Sequence, residues 1–194
     1  MALQRLHWRD TWALLRADHA RLAALAGPAE IGPLWRALRQ QPALQCVALY
    51  RLSNHLWRAG RRWPARLVWH INLLLTGADI SEPADLGPGL VVLNPAGVAI
   101  MGTAGRNLTV MACAGLGGEI GRRDDVGAGP GLSLLGDDVV LRPHSGVLGP
   151  VRVGHRVVVG VGIAVTSDVA DDTLVDGPRA RLVPRQAPHQ ERSA

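Results

Sequence analysis

Lysine and phenylalanine are missing from this 194-residue chain, and tyrosine occurs once. Every basic residue is therefore Arg, which speaks of coding bias before chemistry and carries no function by itself. Only two cysteines occur, Cys46 and Cys113, too few and too far apart for a disulfide framework or a thiolate zinc site. Two reduced thiols suit a reducing compartment, and a cytoplasmic location is expected. No run of about 18 apolar residues exists that would span a membrane. The best stretch, Leu67 to Leu75, is short and interrupted by His70 and Asn72. The opening MALQRLHWRD has no apolar core of the kind a secretory signal needs. His, Cys and Asp never cluster at ligand spacing, so no metal is expected. Few aromatics and 23 glycines argue against a sandwich core and for short stacked strands with tight turns.

Charge is unevenly divided. Residues 1–76 carry eleven arginines against Asp10, Asp18 and Glu30, whereas residues 77–194 carry ten against thirteen acids. The basic part also holds Trp8, Trp12, Trp35, Trp57, Trp63 and Trp69. Such a segment suits a solvated or subunit-contacting helical face with buried tryptophans, or peripheral contact with an anionic membrane surface. No base-reading motif accompanies it, and no nucleic-acid partner is expected.

Residues 1–77 read as helices. Leu3 to Leu25, Ile31 to Arg39, Leu44 to Ala59 and Arg66 to Thr76 are separated by Gly27-Pro28, Gln41-Pro42 and Gly60, and Gly77 closes the last. From about residue 78 the pattern changes to a period of six. Ile80, Leu86, Val92, Val98, Ala104, Val110 and Leu116 are all aliphatic, as are Leu135, Leu141, Val147, Val153, Val159 and Val165. The residue four positions on is small or apolar, as at Ala84, Leu90, Ala114, Ser145 and Val157. Gly and Pro recur too densely for a helix. The period fits a triangular solenoid whose lead aliphatics stack inward. The fold class expected is mainly β: a left-handed parallel β-helix over residues 78–183 behind an α-helical N-terminal segment. Residues 117–134, polar and Gly-rich, put the register out by one and read as a protruding loop. The tail over residues 184–194 reads as disordered.

Particular segments resemble one family of hexapeptide acyltransferases. Gln41-Pro42-Ala43-Leu44, Leu49-Tyr50-Arg51-Leu52-Ser53-Asn54-His55-Leu56-Trp57 and Leu75-Thr76-Gly77-Ala78-Asp79-Ile80 resemble the last helices and first coil of serine acetyltransferases. So do Gly87-Pro88-Gly89-Leu90, Gly97-Val98, Gly117-Gly118, Leu148-Gly149-Pro150 and the closing Gly177-Pro178-Arg179-Ala180-Arg181. The resemblance spans roughly residues 40–183. It implies acyl transfer from acetyl-CoA or another acyl-CoA to a small-molecule acceptor, by a homotrimer, with a hexamer formed through the N-terminal helices as the alternative. It places the orienting carboxylate on Asp79 and CoA near the backbone of Pro143 and Val161, with Arg179 or Arg181 available to phosphate.

The same alignment puts Asn94 where the family has its catalytic His. Leu93 replaces a neighbouring Asp, Ser81 a first-coil His, and Leu132 a loop His. An amide has no proton-accepting nitrogen near neutral pH, and loss of a positioned base costs about 10²–10⁴-fold in rate. His144 is the substitute base to consider, with His155 behind it. Cys113 reads as a small core-lining residue, with a nucleophilic role as the alternative, since no His is near it in sequence to activate a thiol. Two functions follow: a diverged acyl-CoA-dependent O- or N-acyltransferase with a sugar or small-metabolite hydroxyl as acceptor, or a catalytically lapsed β-helix trimer acting as an assembly or regulatory partner.

Overall fold

The computed structural model describes residues 6–178. Five helices come first: α1 (Trp8–Ala26), α2 (Pro28–Ile31), α3 (Leu34–Gln40), α4 (Pro42–Arg58) and α5 (Arg62–Thr76). Pro28 and Pro42 open their helices, where a missing N–H leaves no intrahelical bond unmade. Gly77 ends α5 in the left-handed conformation at φ 73 and hands the chain to the first strand.

The first coil contains β1 (Asp79–Ile80), β2 (Asp85–Leu86) and β3 (Val91–Val92). The second contains β4 (Ala99–Ile100), β5 (Gly102–Ala104) and β6 (Thr109–Val110). The third contains β7 (Gly115–Gly117), β8 (Ser133–Leu135) and β9 (Val140–Leu141). The fourth contains β10 (Gly146–Leu148), β11 (Arg152–Val153) and β12 (Val158–Val159), and β13 (Ala164–Val165) and β14 (Leu174–Val175) close the stack. All pairings are parallel and link every third strand, except that β14 pairs with β12, giving three faces. Face A is β1-β4-β7-β10-β13, face B is β2-β5-β8-β11, and face C is β3-β6-β9-β12-β14.

All thirteen aliphatics of the six-residue series are buried in the triangular core. One of them is not the lead of its strand. The residue that stacks between Ile80 and Leu116 on face A is Ile100, not Val98. Leu93 to Gly97 makes the corner from face C to face A two residues longer than usual. The next corner, with only Met101 between β4 and β5, is correspondingly shorter. At the loop the chain carries thirteen extra residues, which put the six-residue phase out by one. Leu116 and Leu135 lie nineteen positions apart where a hexapeptide step takes six. The extra chain leaves from the corner between faces A and B. Ser133 closes its neck by donating to the Gly117 (3.0 Å) and Gly149 (2.8 Å) carbonyls.

Helix α4 is fastened to the first coil by one stripe of side chains. The Tyr50 hydroxyl donates to Ala84 O (2.8 Å), and Asn54 Nδ2 donates to Glu82 O (2.7 Å) and Ala84 O (2.9 Å). Arg58 pairs with Asp85 at 2.6 Å. Arg51 donates to Leu86 O and Gly87 O and forms a two-point ion pair with Asp18 of α1. Asp18 in turn accepts from the Gly89 and Leu90 N–H groups. The tryptophans are mostly not buried: Trp8, Trp12, Trp35 and Trp63 are exposed, Trp8 stacking on His55 at 3.9 Å. Trp63, Leu67, Ile71 and Leu74 form an exposed stripe along α5 at helical spacing. No helix among the described residues is long and apolar enough to cross a membrane.

The corner from face B to face C is held by a ladder of side chains. Asn107, Asp138, Arg156 and Asp172 occupy the left-handed region there. Asp137 Oδ1 accepts from Arg106 N (2.7 Å), Asp171 Oδ1 from His155 N (2.9 Å), and His155 Nδ1 from Asp137 N (2.9 Å). The Arg106 N–H holds the Asp137 carboxyl below the usual range, and the Arg156 guanidinium does the same for Asp172. A carboxyl depressed in the folded state stabilises above its unfolded pKa, and that contribution is lost as pH falls through the folded value. The melting temperature is therefore expected to fall below about pH 4. Asp137→Asn should blunt that fall, modestly because the group is near the surface. Scanning fluorimetry from pH 7 to 3 measures both effects.

Candidate functional site

The outward residues of face A are Asp79, Ala99, Gly115, Gly146 and Ala164, in register from coil to coil. Beyond Asp79 these are only Ala and Gly, so the face is a shallow trough with the backbone close to its surface. A Cβ on Gly115 would collide with Ala99 O, which excludes any larger residue there without parting the coils. Exposed Met101 and Leu148 flank the trough on the loop side. The other flank is the corner from face C to face A. A groove of about 380 Å³ runs along this corner and trough, lined by Gly97, Cys113, His144, Gly162 and their neighbours.

The corner is a column of left-handed residues, one per coil: Gly77, Gly97, Cys113, His144 and Gly162, with φ from 55 to 73. Each turn is tied to the one below. Gly97 N donates to Gly77 O (3.1 Å), Cys113 N to Ala96 O (3.2 Å), His144 N to Ala112 O (3.0 Å) and Gly162 N to Pro143 O (3.0 Å). Two of the five positions carry functional side chains, and these are vertical neighbours.

At the foot of the trough, Asp79 accepts from Trp69 Nε1 at 2.9 Å. The indole holds one carboxylate oxygen, so Asp79 is fixed in orientation by α5. Asn94 is exposed in the lengthened corner between β3 and β4, beside the foot of the column. Pro143 and Val161 lie in the same column as His144, Val161 exposed and Pro143 half-buried. The structure thus brings Asp79, Asn94, His144, Pro143 and Val161 to one side of the solenoid. Arg179 and Arg181 lie outside the described residues, as do the last of the closing motif and the tail. His155 is on the opposite corner, engaged in the ladder there. Leu132 is half-buried at the end of the loop.

Cys113 departs from its expected place: it is exposed in the groove and lines no core. Its Sγ lies 3.0 Å from where a Cβ on Gly97 would be, and donates to Ala96 O at 3.8 Å. Nor is it remote from a His, because the insertion brings His144 onto the next coil directly above it. The signal was present in the repeat. Cys113 and His144 each precede the buried residue of equivalent turns, Ala114 and Ser145. Cys46 contrasts with it, buried on the inner face of α4, its thiol pushed up to about 12 by that burial.

A larger concavity of about 860 Å³ lies over face B. Its acids are already engaged: Asp85 with Arg58, Asp137 with Arg106, and Asp168 with the Arg152 N–H. Among the described residues no group of three or more His, Cys, Asp or Glu is placed to hold a metal ion. The groove on face A is the better candidate site.

No family model matches the chain. Individual proteins do. The chain is 28% identical over 149 residues to a serine acetyltransferase of Mycobacterium tuberculosis, covering 76% of this chain and 63% of that one. It is 31% identical over 146 residues to that of Synechococcus elongatus, covering 74% and 58%. Against the enzyme of Helicobacter pylori identity is 28% over 154 residues, covering 77% and 85%. The chain therefore spans about three-fifths of the length of the first two relatives. In fold it is similar to Neisseria gonorrhoeae serine acetyltransferase, at TM-score 0.78 and 23% identity over 91% of this chain and 69% of that one. A serine acetyltransferase in complex with CoA superposes at TM-score 0.75 and 18% identity, over 91% and 71%. In sequence, then, the chain is similar to serine acetyltransferases of the hexapeptide-repeat type, and in fold it shares their left-handed β-helix.

Proposed function

We propose that the chain is an acyl-CoA-dependent O- or N-acyltransferase whose acceptor is a sugar or small-metabolite hydroxyl and not serine. The observation that carries this reading is the groove on face A. It combines an exposed peptide backbone, a floor of Ala and Gly, an apolar rim and an oriented carboxylate at its foot. A pantetheine arm needs such a surface: its amides pair with turn backbone and its apolar segments lie on small residues. Arg179 and Arg181 are the proposed phosphate partners, by charge-assisted bonds. Acceptor choice follows from Asn94 and Leu132, at the positions where the family resemblance implies histidines. Asn94 binds a hydroxyl but does not take its proton. The assembly proposed is a homotrimer, and the exposed stripe on α5 supplies apolar surface for subunit contact, to be checked by light scattering.

Isothermal titration with acetyl-CoA and with CoA tests the reading. Saturable binding is expected, with no acetyl transfer to serine and transfer to one or more members of a hydroxyl panel. Absence of binding at millimolar concentration would overturn it. That result would favour the second reading, a lapsed β-helix trimer acting as an assembly or regulatory partner, which the same two substitutions support. Asn94→His is expected to recover little serine acetylation, since Ser81, Leu93 and Leu132 also depart from the family pattern.

A further inference from the structure

We infer that the outward face of α5 is a docking surface for an anionic lipid bilayer, with the helix lying in the plane of the membrane. This surface is separate from the groove, and CoA plays no part in it.

Helix α5 is fastened to the protein by polar contacts and turns its apolar side to solvent. Buried Asn72 donates to Cys46 O at 3.0 Å and accepts from Thr76 Oγ1 at 2.9 Å. Trp69 Nε1 holds Asp79 at 2.9 Å, and Arg66 pairs with the buried carboxylate of Glu82 at 3.1 Å. On the other side Trp63 (87% exposed), Leu67 (62%), Ile71 and Leu74 (83%) recur at three- and four-residue spacing, with Leu75 beside them. A surface helix ordinarily does the reverse and buries such a stripe against the core. Water thus meets a row of large aliphatic and indole side chains, the kind of patch that marks an interaction site.

Two occupants suit the stripe, a second copy of the chain and a lipid surface, and charge separates them. Residues 31–78, which hold α3, α4 and α5, contain seven arginines and no Asp or Glu. Arg51, Arg58 and Arg66 pair with Asp18, Asp85 and Glu82 of the protein itself. Arg61 and Arg62 stand at the head of the stripe beside Trp63, Arg62 lying over the Trp57 ring at 3.6 Å. Among the described residues neither of these two forms an ion pair. A second copy laid on the stripe brings more arginines and no carboxylate from these helices, so like charges meet. Anionic headgroups supply the missing partners, worth about fivefold in binding for each arginine near the surface. An indole beside two cations at the end of an aliphatic stripe also suits the headgroup boundary. At fifteen residues α5 is about 22 Å long, so it lies along the interface and does not cross it. The opposite side of the helix holds Asp79 through Trp69. Docking therefore brings the foot of the groove to one helix diameter, about 10–12 Å, from the lipid.

The test is flotation of the full chain with liposomes of phosphatidylcholine alone and of phosphatidylcholine mixed with phosphatidylglycerol. Flotation with the anionic vesicles is expected, weaker with the neutral ones and reduced by salt, which screens exposed charges. Trp63→Ser combined with Leu74→Ser should lower the partition coefficient at least about tenfold, through lost apolar burial. Arg61→Gln combined with Arg62→Gln should lower it about 20–30-fold on anionic vesicles and leave neutral ones unchanged. All four side chains are exposed, so circular dichroism should show the parent fold in both variants. Parent-level flotation of the Trp63→Ser, Leu74→Ser variant would overturn the role of the stripe. Equal binding to neutral and anionic vesicles would overturn the choice of an anionic surface. Absence of flotation with anionic vesicles would overturn the inference outright. An assembly that shrinks on light scattering in the Trp63→Ser, Leu74→Ser variant would then give the stripe to a second copy.

Discussion

Arg51→Ala is expected to destabilise the protein by about 3–5 kcal/mol, the cost of leaving a buried charge without its partner. Arg51 and Asp18 are 3% and 0% exposed, and their two-point pair sits where three parts of the chain meet. Asp18 comes from α1, Arg51 from α4, and the carbonyls of Leu86 and Gly87 from the first coil. Removing the guanidinium leaves the carboxylate with only the Gly89 and Leu90 N–H groups, and strips both carbonyls of a donor. Arg51→Lys should recover only part of the loss, because an ammonium lacks the planar fork that meets both carboxylate oxygens. Asp18→Asn keeps the shape while removing the charge, and should also destabilise, by leaving Arg51 as the unpaired partner. Urea denaturation at fixed subunit concentration measures all three. A loss below about 1 kcal/mol for Arg51→Ala, the range of exposed pairs, would show that the junction is held mainly by apolar packing.

Leu141→Ala is expected to cost about 2–5 kcal/mol. Leu141 is fully buried in the middle of face C, stacked between Val110 below and Val159 above. The backbone ladders on both sides fix the coil spacing, so the neighbours cannot close the cavity by sliding along the stack. Val165→Ala, nearer the end of the described solenoid, removes less volume from a more yielding place and should cost less. In a quasi-one-dimensional stack a central lesion weakens the coupling between the coils on either side. The denaturation of Leu141→Ala is therefore expected to show a smaller m-value, or two separable transitions, whereas Val165→Ala keeps the parent slope.

The solenoid was readable because its core positions obey one simple rule, an inward aliphatic every six residues, that no other architecture imposes over so long a stretch. Val98 shows the limit of the rule. It is aliphatic and buried, so the pattern accepted it, yet the chain had slipped by two and the stacking residue is Ile100. Composition cannot reveal a slip between two buried aliphatics; only the hydrogen-bond register does. Helix positions were readable from Pro and Gly, but the start of α5 was placed four residues late, since Arg62 and Trp63 give no apolar periodicity of their own. At the site, resemblance points to Asp79 and Asn94, and His144 enters as a substitute base outside the family pattern; the structure puts the three on one side. Cys113 was misread as core. Its turn neighbour is 31 positions away in sequence, and the adjacency exists only because the insertion leaves and re-enters the stack at one corner. The buried Arg51–Asp18 pair was likewise invisible, as a partnership between helices carries no sequence spacing.

The two-residue slip around Asn94 has a consequence for how such a chain changes length. Asp79 and its partner Ala99 are twenty positions apart, and Ala99 and Gly115 only sixteen, so what one corner gains the next gives back. Faces B and C keep their regular eighteen-residue step across the same coil. Residue alternation along a strand means that a compensating change must come in twos, since a shift of one would turn every side chain inside out. The segment that carries Asn94, the proposed acceptor contact, can thus lengthen or shorten in pairs while the rest of the stack stays in phase. Acceptor range in proteins of this kind is then expected to drift through matched insertions and deletions at adjoining corners, leaving the repeat itself untouched.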